Sequence, residues 1–317
     1  MFSENLRKRR LELGISQAEL AEIVGYRSRS SITKLESGIS DIPQKKLRRL
    51  ADALHTTPED LIGENNEDKS ATKNNFPPPA VKHSGNRKVT ALIQAGGKST
   101  RNSLSIPNQF VNVDEKPVIA YVLEAYQKHP QIDEIDVICL YGWEKTLRSY
   151  ADQFQITKLN RIVTGGNTIL DSIKIGFGFI QKGQSDDDVV ILQESTRPMI
   201  SVGLISKALT AYETYGNSVF VKPMSEFVQI EKTDIDFELC PRGNLFSLES
   251  PEIYSAGFLK EALARQRREV PDDGSCLSVL LKRMGLPIHY CESTANNMKI
   301  VTQEDIYIFK VLRQVIL

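Results

Sequence analysis

A chain of 317 residues is long enough for about two domains, and 40% hydrophobic with 25% charged residues excludes a disordered or fibrous protein over most of its length. Lys plus Arg and Asp plus Glu both number 40, so no global positive field marks a nucleic-acid binder, and any such surface must be local. Cys139, Cys240, Cys276 and Cys291 lie far apart without C-x-x-C spacing, and no run of about 18 apolar residues occurs. We therefore expect neither zinc, nor a disulfide framework, nor secretion, nor a membrane partner, but reduced thiols in a cytoplasmic protein.

The predicted elements begin with a small all-α domain over residues 1–63, which holds 11 basic and 9 acidic side chains. Leu6, Leu13, Leu20, Ile23, Leu47, Leu50 and Leu54 recur at helical spacing there. Ser16 followed by Glu19 spells a capping box that starts a helix running to Gly25, and a second short helix is expected from Ser28 to Ser37, ended by Gly38. Residues 64–88, with Pro77, Pro78 and Pro79 among Asn, Lys and Ser, read as a flexible, Pro-containing linker. Its root-mean-square span is on the order of 25 to 30 Å. In residues 89–317 the β-rich runs Val89 to Gln94, Ile135 to Tyr141, Val189 to Leu192 and Ser218 to Val221 alternate with amphipathic stretches Val118 to His129 and Val202 to Tyr215. That alternation predicts an α/β Rossmann-like domain with a mostly parallel sheet covered on both faces.

The segment from Ile15 to Gly25, with Ser31 to Gly38, Pro43 and Leu50 to Leu54, resembles the helix-turn-helix DNA-binding domains of the phage-repressor and Cro type. The resemblance implies DNA as a partner. It places the helix from Ser28 in the major groove, with Arg27, Arg29, Ser30, Ser31, Thr33 and Lys34 toward bases or flanking phosphates, and Gln17 toward a phosphate. One residue more than usual separates Gly25 from Ile32, which leaves the base register open. A net charge of +2 over residues 1–63 makes a monomer a weak binder, so a homodimer on half-sites about 34 Å apart, or a multiple, is expected.

After the first predicted strand comes Ala95-Gly96-Gly97-Lys98-Ser99-Thr100-Arg101, a glycine turn where α/β folds bind phosphorylated ligands. It is neither a three-glycine dinucleotide loop nor a Walker loop, because Leu92 stands where a Walker glycine would. Together with Pro107-Asn108-Gln109-Phe110, Lys116-Pro117-Val118, Thr164 to Ser172, Leu192 to Pro198, Leu245 to Glu252 and Asn297 to Thr302, it resembles the cytidylyltransferases that act on methylerythritol phosphate and ribitol phosphate, a GT-A-like nucleotidyltransferase fold. Family chemistry is attack by a sugar- or alditol-phosphate oxygen on the α-phosphorus of CTP with Mg2+. By that resemblance Ala95, Gly96, Gly97 and Lys98 line the nucleotide, Arg101 and Lys299 meet the phosphates, Gly166 and Ser172 meet cytosine and ribose, and Glu194 is the metal ligand.

Four positions depart from the pattern: Asn108 replaces a lysine, Ile169 an arginine and Glu194 an aspartate, and Asn296 or Ala295 stands where a second aspartate belongs. Glu249-Ser-Pro-Glu252 also brings carboxylates where the family has amides. Losing one preorganised cation typically costs about 10² to 10³ in rate. Lys98 is read either as a substitute for the missing lysine or as a solvated loop residue. Trp143 is expected in core packing rather than against an acceptor. Three readings stay open: a transcriptional regulator sensing a cytidine nucleotide or alditol phosphate, an active CTP-dependent cytidylyltransferase with an appended DNA-binding domain, and a dimerisation scaffold.

Overall fold

The structure, a computed structural model, describes residues 2–12, 15–26, 28–38, 42, 44–54, 56, 61, 87–98, 106–233, 236–240 and 245–316. Two compact units divide it, Met1–Asn74 and Asn75–Leu317.

The first unit packs four short helices, α1 (Phe2–Glu12), α2 (Gln17–Val24), α3 (Arg29–Glu36) and α4 (Gln44–Ala53), around Leu6, Leu20, Val24, Ile32, Leu35, Leu47, Leu50 and Leu54. The capping box is present: the Glu19 amide donates to Ser16 Oγ at 3.2 Å and the Ser16 amide to Glu19 at 2.7 Å. Gly25 ends α2 at φ 77°, and α3 follows after a short turn. Ile23, on the helix as its spacing predicts, is 60% exposed. Leu20, Ala21 and Val24 already form the buried stripe, and Ile23 lies roughly 100° round the helix from its centre. Leu13 and Arg27 lie outside the described residues.

The second unit is built on a seven-stranded sheet. Its strands are β1 (Val89–Ala95), β4 (Glu134–Cys139), β5 (Leu159–Thr164), β6 (Val189–Glu194), β7 (Asn217–Pro223), β10 (Phe246–Ser255) and β11 (Tyr290–Glu292), ordered β11-β7-β10-β6-β1-β4-β5. Two small hairpins, β2–β3 (Asn112–Val113, Lys116–Pro117) and β8–β9 (Val228–Thr233, Asp236–Cys240), stand outside it. Only β10 runs antiparallel to its neighbours, which makes the sheet mostly parallel. Pro251, unable to donate to a ladder, falls in the register shift between Glu249 and Glu252 of that strand.

Because successive side chains leave a strand on opposite faces, the continuous apolar runs feed two cores. Ile93, Val137 and Ile191 pack with Leu123 of α5 (Val118–Lys128), Leu147 of α6 (Glu144–Gln153) and Ile205 of α8 (Val202–Tyr215). Leu92, Ile138 and Val190 pack with Ile173 of α7 (Ile169–Ile180), Leu259 of α9 (Ala256–Glu269) and Leu280 of α10 (Leu277–Arg283). A final helix, α11 (Gln303–Ile316), brings Phe309 into a small cluster with Val113 of the β2–β3 hairpin, Val118 and Ile300, the last on the segment before the helix. Gly176 lets α7 lie close on the sheet, since a Cβ there would sit 2.9 Å from Ile138 and Leu92.

The strand expected to reach Tyr141 ends at Cys139, because the chain turns through Gly142 at φ 86°. From β1 the chain builds outward through β4 and β5, then returns to place β6 on the other side of β1. Connections therefore diverge at the carboxyl end of β1 and open a crevice. The four cysteines are free, and burial pushes the Cys139 thiol up to about 12. Among the described residues no helix is long and apolar enough to cross a membrane.

Candidate functional site

A cleft of about 550 Å³ opens at that divergence, bordered by Gly96, Gly97, Lys98, Gly166, Glu194 and Lys299. Its floor is the glycine turn. Buried Gln109 donates through Nε2 to the carbonyls of Ala95 and Gly97, both at 2.9 Å, and so fixes the turn from below. Gln109 is placed in turn by Phe110, whose ring stacks on Trp143 at 4.5 Å and 8°, which confirms packing as the role of Trp143. Ala95 is buried, Gly97 faces open space and Lys98 is exposed at the rim. Arg101, with Ser99 and Thr100, lies outside the described residues.

The opposite lip is the loop from β5 into α7. Thr168 caps the helix by accepting from the Asp171 amide at 3.0 Å. Ser172 Oγ donates to Thr168 O at 2.8 Å and accepts from the Gly166 amide at 3.1 Å, so this hydroxyl shapes the loop that borders the cleft. A Cβ on Gly166 would lie 2.6 Å from that of Asp171, a clash only glycine avoids. Ile169 is half-exposed on the cleft, presenting a hydrocarbon where the resemblance implies a guanidinium.

Charges gather on the third side. Glu194, at the end of β6, meets Arg197 Nε at 2.5 Å through one oxygen and Lys299 Nζ through the other. Burial opposes its ionisation, but Arg197 and Lys299 outweigh that and hold the carboxyl below its usual range. Arg197 also donates to the Asn297 carbonyl at 2.7 Å and lies 3.5 Å from Glu249, which accepts from Asn297 Nδ2 at 3.0 Å. Glu252 accepts from Tyr254 at 2.8 Å and Ser278 at 3.1 Å, and burial pushes its carboxyl up to about 7. Asn108 is only 4% exposed and gives its amide to the carbonyls of Val301 at 2.9 Å and Ile300 at 3.4 Å. Gln109, Arg197, Glu249 and Asn297 all stood inside motifs legible in the sequence, yet nothing local assigned them partners; those contacts join residues as much as 100 positions apart.

In the first unit, Gln17 Nε2 donates to Glu36 at 2.7 Å, while its carbonyl accepts from Thr33 at 3.1 Å and Arg29 at 3.3 Å. Glu36 is itself paired with Arg10 at 2.6 Å, both nearly buried. Gln17, Arg29 and Thr33 thus form one cluster joining the two helices of the motif. Ser30 and Lys34 are exposed and Ser31 is half-buried on α3.

The model of the family described as 2-C-methyl-D-erythritol 4-phosphate cytidylyltransferase matches residues 89–313, and a helix-turn-helix model matches residues 6–61. The chain is 29% identical to a ribitol-5-phosphate cytidylyltransferase of Lacticaseibacillus paracasei, an alignment covering 70% of this chain and 96% of the relative. It is 30% identical to a 2-C-methyl-D-erythritol 4-phosphate cytidylyltransferase of Clostridium tetani, covering 69% and 87%. Among solved structures, the 4-diphosphocytidyl-2C-methyl-D-erythritol synthase of Anaerococcus prevotii shares the fold with a TM-score of 0.62 at 18% identity, over 72% of this chain and 96% of that one.

Proposed function

Through residues 89–313 this chain belongs to the 2-C-methyl-D-erythritol 4-phosphate cytidylyltransferase family, and from that premise we propose that it is a DNA-binding transcriptional regulator whose second unit binds a cytidine nucleotide, or a sugar or alditol phosphate, with weak or no turnover. Ala95, Gly96 and Gly97 approach the nucleotide through their backbone, Lys98, Arg101 and Lys299 meet its phosphates, and Gly166 and Ser172 shape the pocket for base and ribose. Gln17, Arg29, Ser30, Ser31, Thr33 and Lys34, with Arg27, form the DNA face. The protein acts in the cytoplasm as a homodimer. Exposed Ile230, Leu239 and Phe246 on and beside the β8–β9 hairpin support that last point, as large apolar groups in want of cover.

The observation that carries this reading is Asn108. The position that should bring a lysine to the nucleotide holds a buried amide spent on two backbone carbonyls, so it supplies no charge to a developing pentavalent phosphorus. One such loss costs about 10² to 10³ in rate. Magnesium, the family's metal, does not fit the residues present. Both oxygens of Glu194 are occupied by cations, and among the described residues no three His, Cys, Asp or Glu side chains cluster as ligands.

Two measurements test this. Binding to DNA fragments selected by the full chain is expected to change when CTP is added; unchanged affinity removes the sensor. Pyrophosphate release from CTP, with ribitol 5-phosphate or methylerythritol 4-phosphate as acceptor, is expected to be negligible. Fast turnover would establish the second reading, a CTP-dependent cytidylyltransferase, which is favoured by the near-complete coverage of the ribitol-phosphate relative and by Lys299 standing in the cleft.

A further inference from the structure

We propose that the cleft takes its cytidine nucleotide without a divalent cation, the Lys299 ammonium supplying at the phosphates the charge a metal would otherwise bring. This rests on the reading that the cleft is a nucleotide site.

Lys299, Glu194, Arg197 and Glu249 form a continuous chain of alternating charge, two positive and two negative, in direct ionic contact. Magnesium demands oxygen ligands in near-octahedral array and sheds water reluctantly, so it needs carboxylates with free lone pairs facing the ligand. Each of the three carboxylates here already has two partners. Glu194 is held on both oxygens by cations, Glu249 by Asn297 and Arg197, and Glu252 by Tyr254 and Ser278. An ion entering beside Glu194 would stand next to two positive charges, and the position before Lys299 where the resemblance implies a second carboxylate holds uncharged Ala295 or Asn296.

The two cations on Glu194 are not equivalent. The Arg197 side chain is 8% exposed and fixed to the Asn297 carbonyl as well, whereas that of Lys299 is 43% exposed on a flexible stem. A nucleotide phosphate can therefore draw Lys299 away while Arg197 continues to neutralise Glu194. The carboxylate acts in this arrangement as a competitor of the phosphate for Lys299, not as a metal ligand.

The test is calorimetry of CTP binding to the full chain in excess EDTA and in excess magnesium, followed by the Glu194→Gln and Lys299→Ala variants in EDTA. We expect dissociation constants within about twofold between the two conditions, tightening of about threefold or more for Glu194→Gln, and weakening of about tenfold for Lys299→Ala. Binding tightened tenfold or more by magnesium, or weakened by Glu194→Gln in a variant that melts as the wild type does, overturns the proposal while leaving the nucleotide site intact. Absence of heat in both conditions removes the nucleotide site as well. The wild-type comparison needs no variant to fold.

Discussion

The two sides of the cleft are built on opposite principles. The glycine side is held open by backbone: Gln109 anchors the turn from beneath, and Gly166 and Ser172 fold the facing loop without filling it. The charged side is closed on itself, with Lys299, Glu194, Arg197 and Glu249 paired in sequence, Asn297 donating to Glu249 while its own buried Oδ1 accepts from nothing among the described residues, and Asn108 turned into the interior. A pocket can thus keep its shape for a ligand while the charges that would react it are spent on cohesion. Backbone donors survive side-chain replacement, whereas transition-state charge depends on a few side chains.

The contrast breaks most severely at Arg197. Arg197→Ala strips one cation from Glu194 and the only cation from buried Glu249 among the described residues, leaving Lys299 to the first and the Asn297 amide to the second, and is expected to cost about 3 kcal/mol in urea or thermal unfolding. A loss below about 1 kcal/mol would show that the charged side does not stabilise the fold. On the glycine side, Gln109→Ala removes two hydrogen bonds, leaving the Ala95 carbonyl to the Leu140 amide and that of exposed Gly97 to solvent, and we expect about 1 to 2 kcal/mol of lost stability with markedly weaker CTP binding in titration calorimetry.

Glu252→Gln sharpens the comparison through pH. The native carboxyl titrates near 7, above its unfolded value, so the stability it contributes is full below the unfolded pKa and is lost as pH rises through about 7. The amide removes that loss, and melting at pH 8 should show a gain of about 1 to 2 kcal/mol that vanishes near pH 4. Glu194 runs the other way. Its carboxyl is held low, so its contribution is present above the unfolded pKa and fades as pH falls through the lowered native value. The smallest effect is expected at Lys98. Exposed on the rim, its replacement by alanine should leave the melting temperature unchanged while weakening CTP binding severalfold; an unchanged affinity assigns it to solvent.

Local chemistry made much of this legible in the sequence alone. The capping box, the strands β1, β6 and β7 and the helices α5 and α8 follow from periodicity and caps, which depend on residues within one or two turns of each other. The glycine turn was legible for the same reason. Periodicity put Ile23 on a helix but not on a face of it, because spacing cannot say which of two stripes on a short helix meets the core. It also missed the antiparallel β10, whose place between β6 and β7 is set by pairing across the sheet.

What only the tertiary structure decided is which charges are free. Glu194 and Asn108 read in the sequence as a metal ligand and a lost cation; folding brings Lys299 and Arg197 onto the first and the carbonyls of Ile300 and Val301 onto the second. These partners are as much as 193 residues apart along the chain. Electrostatic pairing depends on distance in space and on exclusion of water, and neither is encoded in any local run of residues.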